Sequence, residues 1–142
     1  MKDFPKITTM GERSVLIQFE PEISENMLGK VLSIKKTLQE NYIKQEVEVT
    51  NTYNSLLISY TSVIENIYDE VLTLKTLISN TKLAKLPERK IFYIPVCYES
   101  EFGIDLELMS TQKNLSIPEI INLHTRPFYT VYFIGFLPGF LY

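Results

Sequence analysis

The chain is poor in the residues that build covalent or metal-held scaffolds. It has one cysteine, Cys97, one histidine, His124, no tryptophan and five glycines among 142 residues. A single thiol excludes an internal disulfide framework. One thiol with one imidazole also excludes a zinc site made from the usual nitrogen and sulfur ligands of this chain alone. Charge of one sign is scarce: 14 basic against 17 acidic side chains leave a net charge of −3, with a pI near 5.2. That balance argues against a phosphate-backbone binder, which needs a clustered basic surface. There is no low-complexity tract and no long run of like charge, so disorder is not expected. The uncharged stretch Pro127–Tyr142 is 16 residues long and is interrupted by Gly135, Pro138 and Gly139. It falls short of the ~20 residues a spanning helix needs. The opening MKDFPKITTMGERS has no apolar core and no small-residue cleavage site, so it does not read as a secretory signal. The expectation is a soluble cytoplasmic protein with no nucleic-acid or membrane partner.

What is present is unevenly spread. Hydrophobic residues make up 45% of the chain, enough for a packed core. Residues 1–90 carry 12 acidic and 12 basic side chains, whereas residues 91–142 carry 5 and 2 and supply the whole net charge. Seven of the 17 aromatics fall in the last 15 residues: Phe128, Tyr129, Tyr132, Phe133, Phe136, Phe140 and Tyr142. Chain ends are ordinarily polar and frayed. An apolar ending such as PFYTVYFIGFLPGFLY is therefore expected either to be cut from a longer protein or to pack on something outside this chain.

The first part repeats one pattern twice. Val15, Ile17 and Phe19 alternate along a short strand, and Leu56, Ile58 and Tyr60 do so 41 residues later. Each strand precedes an amphipathic helix. The first is predicted over Glu25–Glu40, with Met27, Val31, Ile34 and Leu38 on one stripe and Ser24 as N-cap; Gly29 weakens it. The second is predicted over Ile64–Ser79, with Ile67, Val71, Leu74 and Ile78 at the same spacing. Glu46–Thr50 reads as a half-wet strand, Asn51–Asn54 as a turn, and KIFYIPVCY from Lys90 as a fourth strand. The order is βαββαβ, a ferredoxin-like α+β arrangement over residues 1–87 with both helices on one face of an antiparallel sheet. TKLAKLPERK, with Pro87, reads as a linker.

Beyond Tyr98 the pattern changes. Glu99–Gly103 is a polar loop in which Glu99 and Glu101 are expected to be solvated. Asp105–Lys113 and Pro118–His124 are short helical pieces, with Ser116 and Glu119 as a capping box. An apolar strand, Tyr129–Ile134, and the turn-rich GFLPGF open a second, mostly β domain, 88–142. Two glycines around Pro138 let a rigid loop approach a ligand or a partner backbone, or form a turn at a barrel corner. GFLPGF is neither a P-loop nor a dinucleotide fingerprint. His124 can act as a general acid or base, contact a phosphate beside Arg126, or bond the last carbonyls of its helix. Asp105 is either a carboxylate held at a loop–helix junction or an N-cap. Cys97, between Val96 and Tyr98, reads as a packed core thiol. Gly11-Glu12-Arg13 is a turn. No metal site is expected.

Taken together, Gly11-Glu12-Arg13 before the first strand, NTYNSLLISY, IPVCYESEFGIDL, SIPEIINLH and YTVYFIGFLPGFLY resemble the N-terminal part of the B-type 5-oxoprolinase subunit family. This family is also called allophanate hydrolase subunit 1, the carboxyltransferase-type domain, and includes the Kip-type inhibitor of a sporulation histidine kinase. The resemblance runs over essentially the whole chain. It implies a ferredoxin-like domain followed by a cyclophilin-like β-barrel of which only the beginning is present. It also implies a non-autonomous subunit that works with subunits A and C to convert 5-oxoproline to glutamate, with ATP used by the assembled complex. Alternative roles within the family are a regulatory protein docking on a sensor histidine kinase and a subunit of allophanate or urea degradation. The likeness itself assigns no catalytic role; His124 is the candidate catalytic residue on its own chemistry, and on the likeness it lies, with the GFLPGF loop, near a barrel mouth or a subunit boundary. Tyr129, Gly135, Phe136, Pro138, Gly139, Phe140 and Tyr142 are candidates for substrate or partner contact near a barrel mouth or a subunit boundary.

Overall fold

The computed structural model describes residues 5–42, 47–84, 86 and 88–142. Glu46 of the predicted third strand, and Lys85 and Pro87 of the predicted linker, lie outside the described residues. The chain is α+β, with eight elements in the order β1 (Lys6–Thr9), β2 (Ser14–Gln18), α1 (Glu25–Tyr42), β3 (Val47–Asn51), β4 (Ser55–Tyr60), α2 (Ile67–Asn80), α3 (Leu106–Lys113) and α4 (Ile117–Thr125). Two compact units result. The first comprises Met1–Pro87 with Val131–Tyr142, and the second Glu88–Thr130.

The first unit is built on a four-stranded antiparallel sheet in the order β1-β2-β4-β3. Alternation along β2 and β4 puts Val15 opposite Ile58 and Ile17 opposite Leu56, so both pairs point to one face and are fully buried. The α1 stripe of Met27, Val31, Ile34 and Leu38 closes over that face together with Leu74 of α2. Ser24 Oγ accepts from Met27 N at 3.1 Å, as an N-cap does. Asn66 caps α2 by accepting from Tyr68 N and Asp69 N, so the helix begins at Ile67 rather than at the predicted Ile64.

The predicted fourth strand is corrected. Residues 90–98 form no strand, and the sheet edge beside β2 is filled by β1. The element order is therefore ββαββα rather than βαββαβ. Loop closure explains the choice. A hairpin through residues 10–13, closed by Met10 N donating to Ser14 O at 2.8 Å, brings β1 to β2 at far lower entropic cost than returning a strand from residue 90. The turn is also clamped from the other side, where Tyr60 N donates to Arg13 O and Ile64 N to Glu12 O.

Residues 131–142 join this unit as a tight hairpin in place of the predicted strand Tyr129–Ile134. Its ladder is short: Tyr142 N donates to Phe133 O, Gly135 N donates to Phe140 O, and one bridge links Ile134 and Leu141. Tyr53, in the β3–β4 turn, meets the rings of Tyr132 and Phe133 edge-on with centroids 5.3 and 5.0 Å away. Offset and edge-to-face contacts of this kind add to the burial they accompany.

In the second unit, Asn114 adopts a left-handed conformation that ends α3, and Ser110 Oγ donates to Leu115 O, so the chain reverses directly into α4. The Ser116–Glu119 capping box is present, with Pro118 in the first turn of α4. Its paired hydrogen bonds, first from the Ser116 hydroxyl and then from the Ser116 backbone, hold Glu119 below the usual carboxylate range. Asp105 sits at the N-cap position of α3, but its side chain makes no capping hydrogen bond. Cys97 is exposed, not packed. The predicted core position depended on strand alternation that residues 90–98 do not adopt.

Candidate functional site

In the second unit the chain brings together a histidine, a tyrosine 26 residues before it and a tyrosine five residues after it. His124 lies in the last turn of α4 and Tyr98 at the end of the irregular segment before the Glu99–Gly103 turn. That turn is fixed by Phe102 N and Gly103 N, both donating to Glu99 O. Gly103 lets the turn close tightly: a Cβ there would stand 2.5 Å from Leu106 Cδ1, so that side chain would have to turn away, and 3.4 Å from Tyr98 O. With the turn so held, the Tyr98 hydroxyl is hydrogen-bonded to His124 Nδ1. The two rings meet edge-on at 5.8 Å and 80°. Tyr129 also lies against the imidazole, tilted at 49° with centroids 5.9 Å apart, and its hydroxyl donates to the His124 carbonyl at 2.9 Å.

His124 is thus occupied differently from a helix-end histidine bonding its own last carbonyls. Tyr129 satisfies the orphan carbonyl, and the ring is free to engage Tyr98. Such an arrangement can donate a hydrogen bond, accept one or pass a proton. Arg126, the cation expected beside His124, has no ion pair among the described residues.

The remaining candidates belong to the first unit and cluster in its C-terminal hairpin. Phe140 N donates to Leu137 O at 3.0 Å, with Pro138 second and Gly139 third in the turn. Gly139 has φ +82°, the left-handed value that a type II turn demands at this place. Phe136 also has a positive φ, +59°, although it carries a bulky side chain, and it is 90% exposed. A non-glycine residue held this way is an outlier that displays its ring to solvent. Gly135 sits in the ladder, half-buried. Tyr142 stacks on Phe133 with centroids 4.6 Å apart and planes within 6°, and Phe140 tilts against Tyr142 at 4.9 Å.

One pair was missed by sequence reasoning. Tyr60, at the end of β4, donates from its hydroxyl to Glu70 in the first turn of α2. Burial pushes Tyr60 up to about 12 and raises Glu70 as well. The pair borders a cleft of about 530 Å³ lined also by Ser62, Glu65 and Asn66. The available signal was Glu70 itself, one turn ahead of Leu74 on the apolar stripe, where a carboxylate requires a partner. Among the described residues no group of His, Cys, Asp and Glu is arranged to hold a metal ion. No helix among them is long and apolar enough to cross a membrane.

Residues 5–142 match the family of the carboxyltransferase domain, subdomain C and D. The chain is 32% identical to the B-type 5-oxoprolinase subunit of Bacillus subtilis (strain 168), covering 95% of this chain and 60% of that protein. It is 30% identical to the B-type 5-oxoprolinase subunit of Haemophilus influenzae, covering 96% and 62%. The chain therefore spans about 60% of the length of these curated relatives. Among solved structures, the crystal structure of TTHA0988 matches 91% of this chain and 25% of its own, with a TM-score of 0.69 and 25% identity.

Proposed function

The chain belongs to the carboxyltransferase domain, subdomain C and D, family, and from that premise we propose that it is the N-terminal portion of a B-type subunit of 5-oxoprolinase. In this reading it works in the cytoplasm with subunits A and C, which together open 5-oxoproline to glutamate at the expense of ATP. The observation that carries the reading is the identity to the Bacillus subtilis protein, which extends along 95% of the chain. The finer fold assignment belongs to the same proposal. Residues 1–87 are a ferredoxin-like domain whose last edge strand is replaced by β1, and residues 88–142 belong to a cyclophilin-like barrel domain.

Two clefts of the first unit do not fit a triphosphate: one is lined by Glu48, the other by Glu65 and Glu70, and neither by a lysine or arginine. A triphosphate would meet charge of its own sign there. We therefore place nucleotide binding outside these two clefts. This chain supplies His124, with Tyr98 and Tyr129 around it, and separately the Gly135–Tyr142 hairpin with its displayed Phe136. His124 serves as the polar group that meets the substrate, and the hairpin as a contact surface.

Affinity capture from cells expressing the tagged protein tests the partner assignment. Subunits A and C in the eluate are expected, whereas a sensor kinase in their place would replace the enzyme reading with a regulatory one. In the assembled complex, His124→Ala should lower ATP-dependent glutamate formation about 100-fold or more, the usual weight of a positioned acid or base. Unchanged turnover would remove His124 from the mechanism.

A further inference from the structure

We propose that Tyr98 is a positioning residue that holds the neutral His124 ring in a single tautomer, with Nδ1 as acceptor and the proton on Nε2, so that His124 meets its ligand as a hydrogen-bond donor. The ligand chemistry this selects is an oxygen acceptor, a carbonyl or a carboxylate. The catalytic part of the inference rests on the 5-oxoprolinase reading, because a lactam carbonyl and a carboxylate are what that substrate presents. The tautomer itself does not depend on it.

The polarity of the bond follows from the chemistry of the two groups. The Tyr98 hydroxyl and His124 Nδ1 are hydrogen-bonded, and either could carry the proton. A phenolic O–H is a stronger donor than a neutral imidazole N–H, and the unprotonated imidazole nitrogen is a better acceptor than a phenolic oxygen. The favoured arrangement is therefore O–H donating to Nδ1, which places the remaining ring proton on Nε2. Tyr129 does not compete for either ring nitrogen, because its hydroxyl is engaged with the His124 carbonyl. Among the described residues no hydrogen bond reaches Nε2, and the side chain is exposed. A neutral ring fixed in this way is a donor at Nε2 and a poor base there. This narrows the acid-or-base alternatives left open by the sequence.

His124 is the only histidine, so a single imidazole appears in the spectrum and needs no assignment. The test is a long-range 1H–15N correlation spectrum of the 15N-labelled protein, recorded at a pH where the ring is neutral. The expected result is an unprotonated, pyridine-type Nδ1 and a protonated, pyrrole-type Nε2. Tyr98→Phe should reduce the tautomer bias about fivefold, the weight of one net hydrogen bond, and both nitrogen shifts should move toward their average. Tyr129→Phe should leave the ratio unchanged. A wild-type spectrum with the proton on Nδ1 would overturn the proposal. So would a Tyr98→Phe spectrum identical to wild type. The wild-type result decides the tautomer even if Tyr98→Phe does not fold. In the assembled complex, Tyr98→Phe should lower kcat while leaving KM within about twofold. A correct tautomer with no effect on turnover would reject the catalytic part of the inference alone, leaving both the tautomer and the 5-oxoprolinase reading in place.

Discussion

The sheet unit and the helical unit use their apolar residues in opposite ways. In the sheet unit, Val15, Ile17, Phe19, Val31, Ile34, Leu38, Leu56, Ile58 and Leu74 are sealed from solvent in one cluster. In the helical unit, Ile120 is the buried apolar side chain, while Phe92, Tyr93, Ile94, Phe102, Ile104 and Phe128 are exposed. Apolar content does not separate the two; periodicity does. In the sheet unit a period of two on the strands faces a period of 3.6 on the helices, so each apolar stripe finds another. In the helical unit the apolar residues of 91–96 have no ladder and no facing stripe. What holds its shape is polar and local: a capping box, a left-handed Asn114 and the tyrosine–histidine contacts.

Truncation of core side chains should break the comparison most sharply. Ile17→Ala or Leu74→Ala should destabilise the sheet unit by about 2–5 kcal/mol, seen as a lower urea midpoint by far-UV circular dichroism. Ile120→Ala should loosen α3 and α4 and leave the sheet transition where it was. A shared loss for both substitutions would mean that the two units unfold as one.

An alkaline titration gives the next largest effect. Tyr60 has its folded pKa raised from 10.0 to about 12 by burial. Its contribution to stability is therefore complete below pH 10 and lost as pH rises through about 12. Glu70 has the same sign at lower pH: its folded value is raised, so its contribution is complete below 4.5 and declines as pH rises through the folded value. Glu20 has the opposite sign. Backbone hydrogen bonding first, and then Lys30 at 3.0 Å, hold it below 4.5, so it stabilises above that pH and ceases to do so under acid. Thermal melts of the sheet unit between about pH 9 and 12 should show the loss, and Tyr60→Phe should remove the alkaline slope. A wild-type melting temperature that stays flat over this range would contradict the buried Tyr60–Glu70 pair.

The smallest effect is a gain. Gly29 lies inside α1, where a Cβ would meet Leu86 Cγ at 3.6 Å, an ordinary contact. Gly29→Ala should stabilise the sheet unit by about 0.5–1 kcal/mol, measured by the same urea titration. A loss would mean that residue 86 packs more tightly on α1 than this distance allows.

Legibility in the sequence follows the same divide. The strands carrying Val15–Phe19 and Leu56–Tyr60, and both helices of the first unit, were readable because each buries a single face with an unbroken period. β1 was not, because KITT offers one apolar residue, Ile7, on an edge that is half wet. KIFYIPVCY was over-read: its alternation is strand-like, but the edge it would have occupied is already paired to β1 by a short hairpin. At the site, the Ser116–Glu119 box and the Pro138–Gly139 turn were readable from local spacing. The Tyr98–His124 bond, spanning 26 residues, and the Tyr60–Glu70 bond, spanning 10, depend on how separate elements meet. No local pattern encodes either. Residue chemistry and the family resemblance together supplied the candidate residues without saying what each touches.

The most direct test of the proposed function is glutamate formation from 5-oxoproline and ATP by purified subunits A and C, with and without this protein. ATP-dependent glutamate is expected only when the protein is present. Equal rates in its presence and absence would contradict the assignment.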